Sequence, residues 1–482
     1  MSGDDHPGRP WLNWLGLGLV ALSYVGAIWN TFRHEQEVTF TDKKVLTLTH
    51  WQLEAGFREA MDQMIVKFEQ QHPDIKVIQN AISGHVYRQW LQTNLVGGTA
   101  PDIIQFGRLV DEGAVGRYCI PLSQYVFEVN EYNANNEFKD TPWIHTFTDG
   151  LKSCWNSQQL EYFTVGLNNH TIRMFYNKTL FRKILNREDP PRDFEDLVTV
   201  CRQVAEYARR TGEPIYPIAA SDWQASLLGG FLGCSLLSSY IPKVDLNYDY
   251  RPDWDEIFVS YIDRRYDFAE PEIEAGFELF KKITAYFQPG FMSIKPQDSA
   301  FAFCQGRALM ITSGSWDAWS FKFQIEDAGY ELGVFDFPLP GYDHPEYGKY
   351  FDGRYSESQA ELGSAFAINR ATRHPQEALK FLRFMTSKEN NEEFSRLCHW
   401  IPAIRHAEVE EFMKPFAPHQ DGVPACGHGL LCFGDPSRTQ DTLRRRYAQY
   451  ISRPDFTYTR FREEVEELIV PDGIYDFYQH IQ

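Results

Sequence analysis

Residues able to do chemistry are plentiful in this sequence, but their spacing argues against catalysis. No HExxH metal-and-base pair occurs, no GxSxG nucleophile elbow, no GxxxxGK[ST] phosphate loop, and no GxGxxG between a strand and a helix. Asp and Glu together number 66, so two carboxylates can always be paired on paper as a glycoside-cleaving dyad, and their presence decides nothing. Asp245, Asn247, Asp249, Asp253 and Glu256 fall on positions 1, 3, 5, 9 and 12 of a calcium-binding loop. Tyr250 stands where that loop needs glycine, and Pro252 breaks its flank, so the stretch 241–272 reads as a solvated acidic insertion. Cys426 and Cys432 flank His428 without a CxxC pair, a weak pattern for a metal or a disulfide. No metal or cofactor is expected. Aromatic residues remain: 12 Trp, 25 Tyr and 36 Phe suit either ring-lined binding surfaces or bulky cores.

The elements that must position any such surface need room, and 482 residues with 43% apolar composition supply two or three cores. A formal charge of −19 repels phosphate backbones and excludes a nucleic-acid partner. Eight cysteines spread over this length do not describe a disulfide scaffold. From Trp11 to Trp29 the chain carries no charge, with Trp11, Trp14 and Trp29 at the two ends, where amphipathic rings prefer a membrane interface. An N-terminal membrane helix within residues 1–30 is therefore expected, followed by a linker over 31–43. The alternative is a cleaved signal segment with Val25-Gly26-Ala27 as its processing site. Arg33, Lys43 and Lys44 outnumber Arg9, which runs against export of the downstream chain.

Beyond the linker, VLTLTHW (45–51) reads as a strand, and Phe57, Ala60, Met61, Met64, Ile65 and Phe68 recur at helical spacing. A strand at 75–78, a helix over 85–96 and a strand at 102–106 come next. Such alternation is the α/β signature and predicts mostly parallel sheets. It resumes with a helix from Asp193 to Arg210, capped by Asp193, a strand over 307–312 and a helix over 375–387. Asn177 reads as a turn stabiliser between strand and helix, and Gly306 as a helix C-cap.

Six stretches in order resemble the extracellular solute-binding proteins related to maltose-binding protein. They are KFEQQHPDIKV with LVGGTAPDIIQFG, FYNKTLF (175–181), PPRDFEDL (190–197), FCQGRALMITSGSW (303–316), LGVFDFPLPG (332–341) and EALKFLRFMTSKENNEEF (377–394). The resemblance implies a two-lobed periplasmic binding protein fold of type II, with a hinge between lobes. It implies a first lobe from 43–158 plus 312–367 and a second from 159–311 plus 368–482. It further implies an exported, periplasmic protein that holds a small polar ligand, a sugar, in the interlobe cleft. The partner would be an ABC-type permease, with the N-terminal helix tying the chain to the inner membrane. A tethered ligand sensor or a glycoside-acting enzyme are the rival functions.

Family position also nominates ligand contacts. Trp51 and Glu54 lie after the first strand, and Arg108 after the third. Asp222 and Trp223 lie in the second lobe, Trp316 after a crossing strand, and Tyr355 and Glu357 at the cleft edge. Rings would cover the apolar faces of a sugar, and carboxylates and guanidinium would bond its hydroxyls. For Trp51 and Trp223 the competing reading is a core ring; for Glu54 and Arg108 it is a surface charge. Length beyond the family pattern lies at 241–272 and 415–450.

Overall fold

The computed structural model describes residues 43–480 apart from 55, 107–111, 157–158, 249–251, 253, 352–353, 358–361 and 424–438. The expected membrane segment, the linker, Arg108, Asp249, Asp253 and the Cys426–Cys432 stretch lie outside the described residues. Among the described residues no helix is long and apolar enough to cross a membrane.

Two sheets organise the chain. The first contains β1 (Lys44–His50), β2 (Ile75–Ala81), β3 (Ile103–Gln105), β4 (Thr164–Asn169), β9 (Leu362–Ile368) and β10 (Ile401–Pro402), in the order β10-β4-β9-β3-β1-β2. The second holds β5 (Ile172–Asn177), β6 (Tyr216–Ala219), β7 (Ala308–Gly314) and β8 (Leu332–Phe335), in the order β8-β5-β7-β6. Period-two alternation builds each lobe in three layers. Ile103 faces the core under helix α1 (Phe57–Gln71), and Ile104 faces the core under α2 (Gly84–Gly97). In the second sheet Met310 and Ile311 divide in the same way. The six apolar residues of α1 read from the sequence are all buried. Asp193 and Asn177 cap the helices that begin after them, accepting from the N–H of Asp196 (2.8 Å) and Leu180 (2.9 Å).

Two expectations need correction. The sheets are mixed rather than mostly parallel: β1 pairs in parallel with β2 and β3, and β6 with β7, while the other five pairings are antiparallel. The cause is the chain's path between the sheets. Strand β4 leaves the first sheet at one edge and β5 enters the second at the facing edge, so β5 must run against β7. Strand β9 returns across the same gap and runs against β3 and β4. The lobe boundaries also differ. Residues 308–314 and 332–335 belong to the second sheet, whereas the helices Pro375–Met385 and Lys388–Cys398 pack on α1 in the first lobe. Periodicity finds elements but does not say which sheet receives them.

Among the described residues three passages join the lobes: 170–171, the stretch between β8 and β9, and the stretch after β10. One buried side chain ties them. Arg173, at the start of β5, is 1% exposed. It forks onto Glu357 of the second crossing through Nη1 (2.7 Å) and Nη2 (3.0 Å), and donates to the carbonyls of Pro415 (3.1 Å) and Ala417 (3.1 Å) beyond the third. Asp336 approaches its Nε at 3.0 Å. The lobes also meet where His399, ending the Lys388–Cys398 helix, stacks on Trp319 with centroids 3.6 Å apart. Removing one partner of a buried pair leaves an uncompensated charge, so Glu357→Leu should cost about 3–5 kcal/mol in a urea titration. A loss under about 1 kcal/mol, the range of exposed pairs, would show that Arg173 finds compensation elsewhere.

Candidate functional site

Strand directions define where the site lies. In the first sheet β1, β3 and β4 all end at one edge, because β9 runs antiparallel to both β3 and β4 and its start, Leu362, faces Asn169 at the end of β4. In the second sheet β6 and β7 are parallel and end together, with Gly314 of β7 facing Ile172 at the start of β5. Only His170 and Thr171 separate the ends of β4 and β5, so the two carboxyl edges abut. Clefts beyond strand ends between α/β layers are preferred ligand locations.

On the first-lobe side the Trp51 N–H donates to Gln105 Oε1 (3.0 Å), and the Trp51 ring meets Tyr87 edge-on at 5.0 Å. Gln105, the last residue of β3, is fully buried, yet its Nε2 has no hydrogen-bond partner. Glu54 sits in the turn after β1, and its Oε2 is enclosed by protein, again with no partner. Loss of solvent pushes the Glu54 carboxyl above its usual range, and the negative charge of Asp317 pushes it further. Asp317 lies just after β7 of the other lobe, so its charge acts on Glu54 across the gap between the lobes. Desolvation raises Asp317 as well, against hydrogen bonds from the Ser313 hydroxyl (2.5 Å) and the Trp316 side chain.

On the second-lobe side Trp316 is half-buried and packs against the first lobe's core. Its ring meets the edge of His170 at 5.2 Å and 84°. Desolvation holds the His170 imidazole down at about 4, neutral near physiological pH. Asp222 and Trp223 open the helix Asp222–Leu237 just beyond β6, at the same edge as Trp316. The Trp223 N–H donates to Asp222 Oδ1 (2.8 Å), and its ring is 47% exposed, which disposes of the core reading.

The remaining nominated residues are placed differently. Both Glu357 oxygens are taken by Arg173, and Oε2 also accepts from the His419 N–H (2.8 Å), so this carboxylate ties the crossings and is not available to a ligand. Tyr355 is half-buried against the second lobe's core and bridges to Val423. In the acidic insertion, Glu256 accepts from the Leu246 (2.8 Å) and Asn247 (2.9 Å) N–H groups, closing a loop. No group of three or more metal-ligating side chains occurs among the described residues. Sequence reasoning missed Gln105, His170 and Asp317. A polar residue ending the apolar run Ile103-Ile104 was the available signal for Gln105.

A desolvated carboxylate facing a negative charge destabilises the protein that carries it. Its raised folded-state value means protons are bound more tightly when folded, so stability rises as pH falls through that value. Glu54→Gln should therefore raise the melting temperature of the ligand-free protein at pH 7. The advantage should vanish below the ordinary glutamate value of 4.5. An unchanged or lowered melting temperature at pH 7 would mean that Glu54 is satisfied in solution.

Residues 63–415, most of the chain, match the family described as bacterial extracellular solute-binding protein. An uncharacterized ABC transporter extracellular-binding protein of Pyrococcus horikoshii is 23% identical over 407 residues, covering 80% of this chain and 79% of its own length. Among solved structures, a chitin oligosaccharide binding protein superimposes with a TM-score of 0.64 at 16% identity, over 91% of this chain and all of its own. The complex of the solute-binding protein RafE with raffinose gives 0.58 at 15% identity, over 89% of this chain and 99% of its own. These likenesses show the fold. The family match begins within α1 and spans every strand of the two sheets except β1, so the chain belongs to the bacterial extracellular solute-binding proteins.

Proposed function

We propose that the protein captures a sugar or oligosaccharide between its lobes and delivers it to an ABC-type importer. As a member of an extracellular family it works outside the cytoplasm. One observation carries the ligand class. A buried donor, Gln105 Nε2, and a buried acceptor, Glu54 Oε2, stand unpartnered near the half-buried rings of Trp51 and Trp316. Leaving such atoms unmade costs free energy unless a ligand completes them. A hydroxyl is donor and acceptor at once, and the C–H face of a sugar ring is apolar, so a polyol ring answers both demands. The solved neighbours that bind a chitin oligosaccharide and raffinose support this class, and the Pyrococcus relative supports the importer.

Capture follows from the two-lobed design. Trp51, Glu54 and Gln105 belong to the first lobe, and Asp222, Trp223, Trp316 and Asp317 to the second. A ligand touching both sets favours the closed arrangement by its differential affinity for it. Arg108 joins the first set in this reading, and Tyr355 lines the crossing between them. The uncharged run Trp11–Trp29 supports a tether to the inner membrane.

A melting-temperature screen with raffinose and chitin oligosaccharides should find a stabilising sugar, since ligand at 100 times Kd adds about 2.7 kcal/mol. Trp316→Ala and Trp223→Ala should then each weaken binding roughly 10- to 100-fold by calorimetry while the fold persists. Affinity that survives both substitutions would sink the cleft assignment. For the tether, the mature protein should fractionate with membranes and keep its N-terminal run. A soluble mature chain starting at Ile28 would refute it.

A further inference from the structure

Trp316 is held by a column of rings that begins in the first lobe. Phe57 of α1 lies against Trp400 at 5.2 Å, Trp400 meets His170 at 5.6 Å and 75°, and His170 meets Trp316 at 5.2 Å and 84°. Each contact after the first is edge to face, the arrangement that opposes sliding. Two glycines seat the column. A β-carbon built on Gly363 would fall 1.9 Å from His170 Nε2 and 2.2 Å from Cδ2, so the imidazole occupies the space a side chain at 363 would need. A β-carbon on Gly314 would fall 2.3 Å from both Cη2 and Cζ3 of Trp316, so the indole lies over that glycine. The Asn168 side-chain amide lies 3.1 Å from His170 Nδ1, a contact that orients the ring.

The column crosses the lobe boundary. Phe57 and Trp400 belong to the first lobe, His170 to the shortest crossing, and Trp316 to the second lobe. We propose that His170 is the positioning residue of Trp316, setting the plane of that ring across the lobe boundary through a seat made by Gly363 and Gly314. For its effect on binding the proposal rests on the ligand-facing reading of Trp316; for its effect on the ring itself it does not. A rigid ring presented in the right plane loses little freedom on binding, which is how a positioning residue acts on affinity.

The test separates the two. Near-ultraviolet circular dichroism of wild type minus Trp316→Phe, without ligand, isolates the signal of this one indole. The same difference is then taken in His170→Leu and Gly363→Ala backgrounds. His170→Leu removes the imidazole, and Gly363→Ala keeps it but displaces it, so one answers if the other fails to fold. The difference signal should fall by about half or more in each folded variant. Raffinose or chitin oligosaccharide, whichever the screen identifies, should bind each about tenfold more weakly, with Trp316→Phe adding less than it does in wild type. An unchanged Trp316 signal in folded variants overturns the proposal. An altered signal with unaltered sugar affinity keeps His170 as the positioning residue and refutes the ligand-facing reading of Trp316 instead.

Discussion

A guanidinium with all its N–H groups spoken for holds this molecule's geometry. Arg173 has five donors and no way to shed its charge, and taking it out of water costs several kcal/mol unless every donor is met. Glu357 meets two and the Ile172, Pro415 and Ala417 carbonyls meet the other three, with the Asp336 carboxylate 3.0 Å from Nε as a second counter-charge. These partners come from different passages of the chain between the lobes. Any rearrangement that separates the passages strands a buried cation, so the root of the cleft is pinned. Placing this pair at the crossings concentrates the cost of misfolding where two independent cores must be brought into register.

From that root the rest of the site is set by direction. Chains that leave and enter a sheet at the same edge must alternate in sense, and this makes both sheets mixed and brings their carboxyl edges together. Polar groups arriving at those edges do not all find protein partners: Gln105 Nε2 and Glu54 Oε2 have none, whereas Asp317 is held by Ser313 and Trp316.

Local features were legible in the sequence because their causes are local. The apolar stripe from Phe57 to Phe68, the caps at Asp193 and Asn177, and the turn at Gly306 depend on residues within a few positions. Non-local ones were not. Glu357 and Arg173 are 184 residues apart, and nothing near Glu357 announces a buried cation, so a carboxylate at the cleft edge read as a ligand contact. Strand sense was misread for the same reason, since alternation of apolar residues is identical in parallel and antiparallel pairs. Trp223 and Trp316 were nominated from family position, but the expected lobe bounds divided them between the lobes, whereas both follow strands of the second sheet. His170 offered no signal because its contact arises only when Gly363 comes beside it.

The two seating glycines set limits on how this protein can diverge. A side chain acquired at 363 and the ring at 170 claim one volume, as do a side chain at 314 and the ring at 316. Neither member of either pair can change freely while the other stays. A lineage drifting toward a different solute would therefore shed the bulky partner first, passing through a loosened intermediate before any new side chain could be fixed. In a set of descendants these positions should change in ordered pairs, so this stretch of the lobe boundary can diverge only along a few narrow routes.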